Sequence, residues 1–270
     1  MKSINHLLFL FFFLLSQFIA SAENYPVGTR AASLGNASVT LNDLWSVNHN
    51  QAGLGYIKKF STGVNYENRF LLNKLSLKAM AIVIPSKDGT FGLSINSFGY
   101  VLYHQQKYGL AYGRTFGEKI SMGIQLACFT TKIAEDYGRA TNLVAEVGVQ
   151  VKPIKDLTLG VHLFNPTLSK VSSHFYLPAI MRLGFDYKFS QSVFFAGEIQ
   201  KEINAKPVFK AGLEYGLMKE FYLRTGISTN PSLNAVGCGL KLKQFKLDFS
   251  SSFYAVLGFT SQVGLTYEVK

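Results

Sequence analysis

Side chains able to do chemistry are few in this sequence, and their spacing brings no known reactive set together. Beyond the N-terminal apolar run, histidine occurs only as His49, His104, His162 and His174. A general base needs a positioned partner within hydrogen-bond reach. No distinctive Ser or Asp arrangement surrounds His162, so it reads as a hydrogen-bonded inward histidine. The other three are too scattered for a metal cluster, with His104 and His174 expected in outward loops. No Gly-x-Ser-x-Gly elbow, phosphate loop or dinucleotide fingerprint occurs. The only cysteines, Cys128 and Cys238, exclude a disulfide-dense scaffold and read as small apolar residues. These features predict a protein that is not an enzyme and needs no cofactor or metal.

Two other groups of residues could act. Glu146, Arg182, Asp186, Glu198, Lys210, Glu214 and Arg224 each alternate with apolar neighbours. Such charges either pair across adjacent strands, as Lys210 and Glu214 would with Glu198 or Arg224, or line an ion pathway. Pairing that holds the interior together is the favoured reading. The second group is aromatic. Phe98, Phe129, Phe164 and Phe194, with Tyr254, could line a site for a hydrophobic small molecule, since ligand pockets are mostly apolar with few polar groups. Their positions near strand ends suit interfacial girdles and loop packing equally well.

The elements that must position these residues follow from composition and period. Charged residues make up 16% of the 270 residues, against about 25% in an ordinary soluble protein. The 23 Phe and 14 Tyr exclude a disordered chain, and a mean hydropathy of +0.15 is too low for a bundle of membrane-spanning helices. Met1-Lys2, the apolar run from Leu7 to Leu15, and Ala20-Ser21-Ala22 form a secretory signal peptide over residues 1–22, cleaved after Ala22. The run is too short to span a bilayer, and no later apolar run is long enough for a transmembrane helix. Export removes nucleic acid as a partner for the formal charge of +11.

From Phe60 onward the apolar residues recur with period two. Phe209, Ala211, Leu213 and Tyr215 oppose Lys210, Gly212, Glu214 and Gly216, for example. Successive strand side chains point to opposite faces, so the pattern predicts fourteen strands at 60–69, 74–84, 90–99, 106–116, 119–130, 141–152, 156–164, 178–189, 192–201, 206–216, 220–228, 234–243, 245–254 and 259–269. An even strand number, with short turns alternating with longer loops at 131–140 and 165–177, is the pattern of an outer-membrane barrel. A soluble sandwich or lipocalin would bury the bulky face. Here the other face carries Gly63, Gly92, Gly123, Gly148, Gly160, Gly184, Gly212, Gly226, Gly237 and Gly264, too little side chain for a core of normal density. The fold class is therefore an all-β transmembrane antiparallel barrel, with the apolar face toward lipid. The charged residues, Lys78 and Lys107 among them, fall inside, because Lys or Arg facing lipid at midplane costs about 2–4 kcal/mol.

Two stretches carry a resemblance. Gly28-Thr29-Arg30-Ala31-Ala32-Ser33-Leu34-Gly35-Asn36-Ala37 and Asn50-Gln51-Ala52-Gly53-Leu54 lie between the signal peptide and the first strand. Their order and spacing resemble the N-terminal segment of the PorV/PorQ-type outer-membrane proteins and, more distantly, of the FadL-like fatty-acid transporters. Gln51 stands where that pattern has Pro, and Asp43 is all that remains of its acidic stretch. The resemblance implies that residues 23–59 form a hatch inside the barrel of residues 60–270; a periplasmic tail is the alternative. Arg30 could then form a bidentate pair with an inward carboxylate. Gln262, Gly264, Tyr267 and Val269 in the last strand resemble the C-terminal signal by which barrel-assembly machinery recognises its clients.

The PorV/PorQ resemblance implies a non-enzymatic barrel in the outer membrane of a Gram-negative bacterium. It would take part in type IX secretion or surface attachment, with secretion components and cargo as partners at the loops 131–140 and 165–177. The alternative is a FadL-like channel that takes up hydrophobic small molecules and releases them through a wall opening near the hatch.

Overall fold

The computed structural model describes residues 24–133, 138–172 and 175–269, so the signal peptide expected over residues 1–22 and His174 lie outside the described residues. Fourteen antiparallel strands close into one barrel. They are β1 (Ser61–Asn68), β2 (Ser76–Pro85), β3 (Thr90–Tyr100), β4 (Tyr103–Phe116), β5 (Ile120–Ile133), β6 (Arg139–Ile154), β7 (Leu157–Phe164), β8 (Ile180–Lys188), β9 (Val193–Glu202), β10 (Val208–Gly216), β11 (Phe221–Ser228), β12 (Leu233–Leu242), β13 (Phe245–Tyr254) and β14 (Gly258–Glu268). Each pairs with its sequence neighbour, and β1 closes on β14 from Ser61 opposite Glu268 to Asn68 opposite Ser261. Closure is forced by the solvent. Lipid offers no hydrogen bonds to a free strand edge, so every ladder must be completed internally.

Alternation sorts the two faces. In β7, Thr158, Gly160, His162 and Phe164 point inward, while Leu159, Val161 and Leu163 face out. The turns on the side of residues 60 and 269 are short, and the connections on the other side include residues 69–75 and 165–179. By the usual asymmetry of such barrels, the first side is periplasmic and the second extracellular.

Three sequence expectations shift. Lys78 is exposed on the outer surface, because Leu77, Ala79, Ala81 and Val83 are the residues of β2 that turn inward. They pack against Leu44, Val47 and Leu54. Both faces of β2 are apolar, so the single lysine gave a misleading parity; near the rim its cost against lipid falls to about 0–1 kcal/mol. His104 lies within β4, its Nε2 2.8 Å from Ser97 Oγ, and not in a loop. The loop expected at 131–140 is mostly strand, because β5 runs to Ile133 and β6 starts at Arg139; residues 134–137 lie outside the description.

Residues 24–57 run through the inside of the barrel and are largely buried. They form a helical turn α1 (Thr29–Ser33), a second, α2 (Ser46–His49), and a 3-10 turn at Gln51–Tyr56. These elements are too short to be stable alone; the wall holds them. The inward glycines make this possible. A Cβ at Gly226 would collide with the backbone of Leu34 and Gly35, and one at Gly123 with that of Gln51 and Ala52. At Gly264 it would stand 2.7 Å from Thr29 Oγ1. The glycine face is a collar cut to the contour of the N-terminal segment.

Overpacking that collar should therefore loosen the barrel. Gly123→Leu is expected to cost about 1–3 kcal/mol or more, read as a lower temperature at which the unboiled form converts to boiled mobility on a detergent gel. Gly216→Ala, whose Cβ would meet nothing nearer than 3.6 Å, should leave that temperature unchanged.

Candidate functional site in the barrel lumen

The N-terminal segment is pinned at three levels. On the periplasmic side, Arg30 makes a bidentate pair with Glu214, its Nε and Nη2 each donating at 2.8 Å, and its Nη1 reaches Asp43 at 3.3 Å. Glu214 also accepts from Arg224 Nε at 2.5 Å, and Arg224 Nη1 continues to Asp248 at 2.7 Å. Burial opposes the charge of Arg30, but the Glu214 carboxylate outweighs it and raises the guanidinium pKa further. Burial likewise opposes ionisation of Asp43, but Arg30, Lys246, His49 and the Trp45 N–H together more than offset it and hold the carboxyl below its usual range.

In the middle, Glu198 Oε2 accepts from the backbone N–H of Ser38 at 2.7 Å and of Val39 at 2.8 Å, while Lys210 Nζ neutralises the carboxylate at 2.7 Å. Nearby, Lys107 Nζ lies 2.7 Å from Glu146, and His162 lies between Glu146 and Arg182, whose Nη2 donates to the His49 carbonyl at 2.7 Å. Gln51 earns its place in the motif here. Its Nε2 donates to Val47 O, to Gln125 Oε1 at 2.7 Å and to Glu146 at 3.1 Å. Asn50 Oδ1 accepts from Ala52 N at 3.1 Å, and its Nδ2 donates to Val39 O at 2.8 Å.

Asp186, on the periplasmic side of β8, accepts hydrogen bonds from Thr40 of the segment and from Thr158. With Arg30 and Glu214 it lines an inner chamber of about 750 Å³. Within the segment itself, Ala31 and Leu34 of α1 pack on Leu41, Ala52 and Leu54 are fully buried, and Gly28 and Gly35 adopt positive φ.

On the extracellular side the contacts are aromatic. Phe98 lies 4.3 Å from Tyr25, and Phe129 meets Phe164 edge-on at 5.7 Å. The Arg69 guanidinium lies 4.2 Å over Tyr25, and Lys107 Nζ lies 5.4 Å from the Phe129 ring. Phe194 does not join them. It sits at the periplasmic mouth with the Arg30 guanidinium 5.3 Å from its ring, so the four phenylalanines do not line one site. The space shared by Phe98 and Phe129 is about 10 Å³, too small for a ligand. Tyr25, Gln125 and Ser38 were not readable as site residues, because each acts through a partner remote in sequence.

Three cavities remain among the described residues, one of them about 590 Å³ at the periplasmic mouth beside Asp43 and Lys246. The outer one, about 590 Å³, has Asn36, Ser38, Asn48, Arg182 and Lys210 in its floor and Tyr25, Phe70, Ile180, Leu233 and Tyr254 in its walls. The inner one begins at Thr40, Leu41 and Asn42. Ser38 lines the outer chamber and Thr40 the inner, so the strip at Val39, which Glu198 holds, runs between them. The loop after β7 also folds inward. Asn165 Nδ2 donates to Leu177 O at 3.0 Å, and Leu177 packs with Phe129 and Phe164. The wall opening expected near the N-terminal segment is not found among the described strand pairs, whose register is continuous except for one shift between Val151 and Ile154. Cys128 and Cys238 are free thiols. In β14, Gln262 Nε2 donates to Glu67 at 2.8 Å and Val269 N bonds Phe60 O at 3.0 Å across the closing seam, while Tyr267 packs on Phe245 of β13 at 5.2 Å.

No family model matches the sequence, and no curated protein matches it significantly. Solved structures do. The P. putida toluene transporter TodX has a TM-score of 0.70 at 11% identity, over 92% of this chain and 99% of that one. The chain shares the barrel fold of this transporter. The monoaromatic hydrocarbon channel CymD gives 0.67 at 12% identity over 90% and 96% of the two chains. A Pseudomonas aeruginosa FadL homologue gives 0.64 at 12% identity over 90% and 99%. The secretion role implied by the PorV/PorQ resemblance gains no support from these likenesses.

Two outcomes test the pinning. Arg30→Ala leaves Glu214 with one partner fewer and should weaken docking of the segment by about 2–5 kcal/mol, seen as protease cleavage within residues 24–57 of the folded barrel. Burial also pushes the His49 imidazole down to about 4. Unfolded histidine titrates near 6.5, so below that pH the released segment binds the extra proton and docking weakens as pH falls, by roughly 3 kcal/mol near pH 4. Cleavage should rise from pH 6.5 to 5 in the native protein and less steeply in His49→Gln.

Proposed function

We propose that this protein is a non-enzymatic outer-membrane conduit for small hydrophobic molecules, with the N-terminal segment as its barrier. The observation that carries the proposal is the pair of chambers divided at Val39, set in a barrel with the fold of toluene and monoaromatic hydrocarbon channels. The outer chamber is within the roughly 300–1,000 Å³ range of small-ligand sites, and it sets an apolar side of Phe70, Ile180, Leu233 and Leu257 against polar and charged residues such as Arg69, Gln200 and Lys206. A hydrophobic molecule would enter from the extracellular side, rest against Ile180, Leu233 and Tyr254, and pass when the Ser38–Thr40 strip moves aside. Glu198 is the latch in this scheme, because it holds two backbone N–H groups of that strip. With the wall closed, the inner chamber and the periplasmic mouth are the exit. Assembly would begin at β14, whose Gln262, Gly264, Tyr267 and Val269 carry the signal for the barrel-assembly machinery.

The test is uptake of radiolabelled toluene by vesicles containing the native barrel and the Glu198→Ala variant. Flux above protein-free vesicles, raised several-fold by Glu198→Ala, is expected. Flux equal to protein-free vesicles for both proteins would overturn the proposal. So would a deletion strain that keeps normal uptake but retains secreted and surface-attached proteins inside the cell, the result required by a type IX secretion role.

A further inference from the structure

The outer face of β2–β6 carries an ordered arrangement that transport through the lumen does not use. Residues paired across the ladder stand side by side, so register reads this face row by row. One row is Ile82, Leu93, Leu110 and Leu126; the next, toward the extracellular side, is Met80, Ile95, Tyr108, Cys128 and Leu143. These two rows line a groove of about 380 Å³ in the lipid-facing wall. The third row is polar throughout: Lys78, Ser97, Gln106, Thr130 and Thr141. The fourth, at the rim, brings His104, Lys132 and Arg139 together.

The change from apolar to polar occurs toward the extracellular ends of all five strands, and on β4, β5 and β6 His104, Lys132 and Arg139 follow it. It follows the boundary between acyl chains and headgroups, where Lys and Arg can extend toward the interface. Lys78, Lys132 and Arg139 are exposed, and none has a carboxylate partner among the described residues. No Asp or Glu occupies an outward position among the described residues of these strands. From Lys78 on β2 to Arg139 on β6 the cations span four strand spacings, about 19 Å, with Lys78 one row nearer the groove, a width that suits a headgroup with more than one phosphate. A groove beneath a cationic row is complementary to an anionic lipid and to nothing neutral.

We propose that this face binds a phosphorylated, multiply acylated glycolipid of the outer leaflet, with an acyl chain in the groove and its phosphates on Lys78, Lys132 and Arg139. His104 and Gln106 then serve as hydrogen-bonding neighbours of the headgroup. The site is independent of the lumen, so its test does not depend on transport.

Native mass spectrometry of the detergent-purified barrel, titrated with hexa-acylated lipid A and with dioleoylphosphatidylglycerol, tests the proposal. Lipid A should be retained at least tenfold more strongly than the phospholipid. The Lys78→Gln/Lys132→Gln variant should weaken lipid A by about 25-fold, taking about fivefold for each charge near the membrane surface. Cys128→Trp, which fills the groove without touching a charge, should weaken lipid A severalfold in a barrel of unchanged gel mobility. Equal retention of the two lipids, lipid A binding unchanged in both variants, or a second copy of this chain seated on the face instead of lipid would each overturn it.

Discussion

The structure depends on how closely the N-terminal backbone can approach the barrel wall. A strand wall in lipid must close to satisfy its own hydrogen bonds, and fourteen strands enclose more space than their own inward side chains fill. The inward glycines remove side chains along a continuous collar, and the N-terminal segment occupies the vacated volume with Leu34 over Gly212 and Gly226, Gln51 over Gly113 and Gly123, and Thr29 at Gly264. The segment has little structure of its own to lose. Its short helical turns exist because the wall packs around them.

Close approach of backbone to backbone leaves polar groups in a space with little water, and the charges answer that need. Glu198 takes two amide N–H groups, Arg182 reaches a carbonyl, and Glu146 gathers Lys107, His162 and Gln51. The interior is thus a set of paired ions bonded to a foreign backbone, not an open ion path. At Val39 the chambers come within a few residues of each other, and the strip between them is held by Glu198 at its N–H groups and by Asn50 and Gln150 at the Val39 carbonyl.

Much of the fold was legible because period two is a local property. The predicted strands match the observed ones to within three residues at either end, and β13, predicted at 245–254, is Phe245–Tyr254. The inward direction of Gly123, Glu146 and Glu214 followed from the same alternation. It failed where local pattern is ambiguous. Lys78 was assigned inward because the apolar residues of β2 occupy both faces, and only the contact of Leu77 and Val83 with the N-terminal segment decides which is inside. Phe194 shares its parity with Phe98, Phe129 and Phe164 but lies at the opposite end of the barrel, since parity fixes the face of a residue and not its neighbours.

By itself, then, the sequence determined the barrel, its strand number and its two faces, because the alternation of side chains along a strand is set by covalent geometry and the cost of placing charge in lipid. It also marked Arg30 and the glycine collar as partners of something inside. Tertiary structure alone decided which carboxylate Arg30 meets, that Gln51 replaces a proline by binding Gln125 and Glu146, and where the chambers divide. It also aligned Lys78, Lys132 and Arg139 above one apolar groove. These are contacts between residues far apart in the chain, and they exist only once the register of every ladder has been fixed.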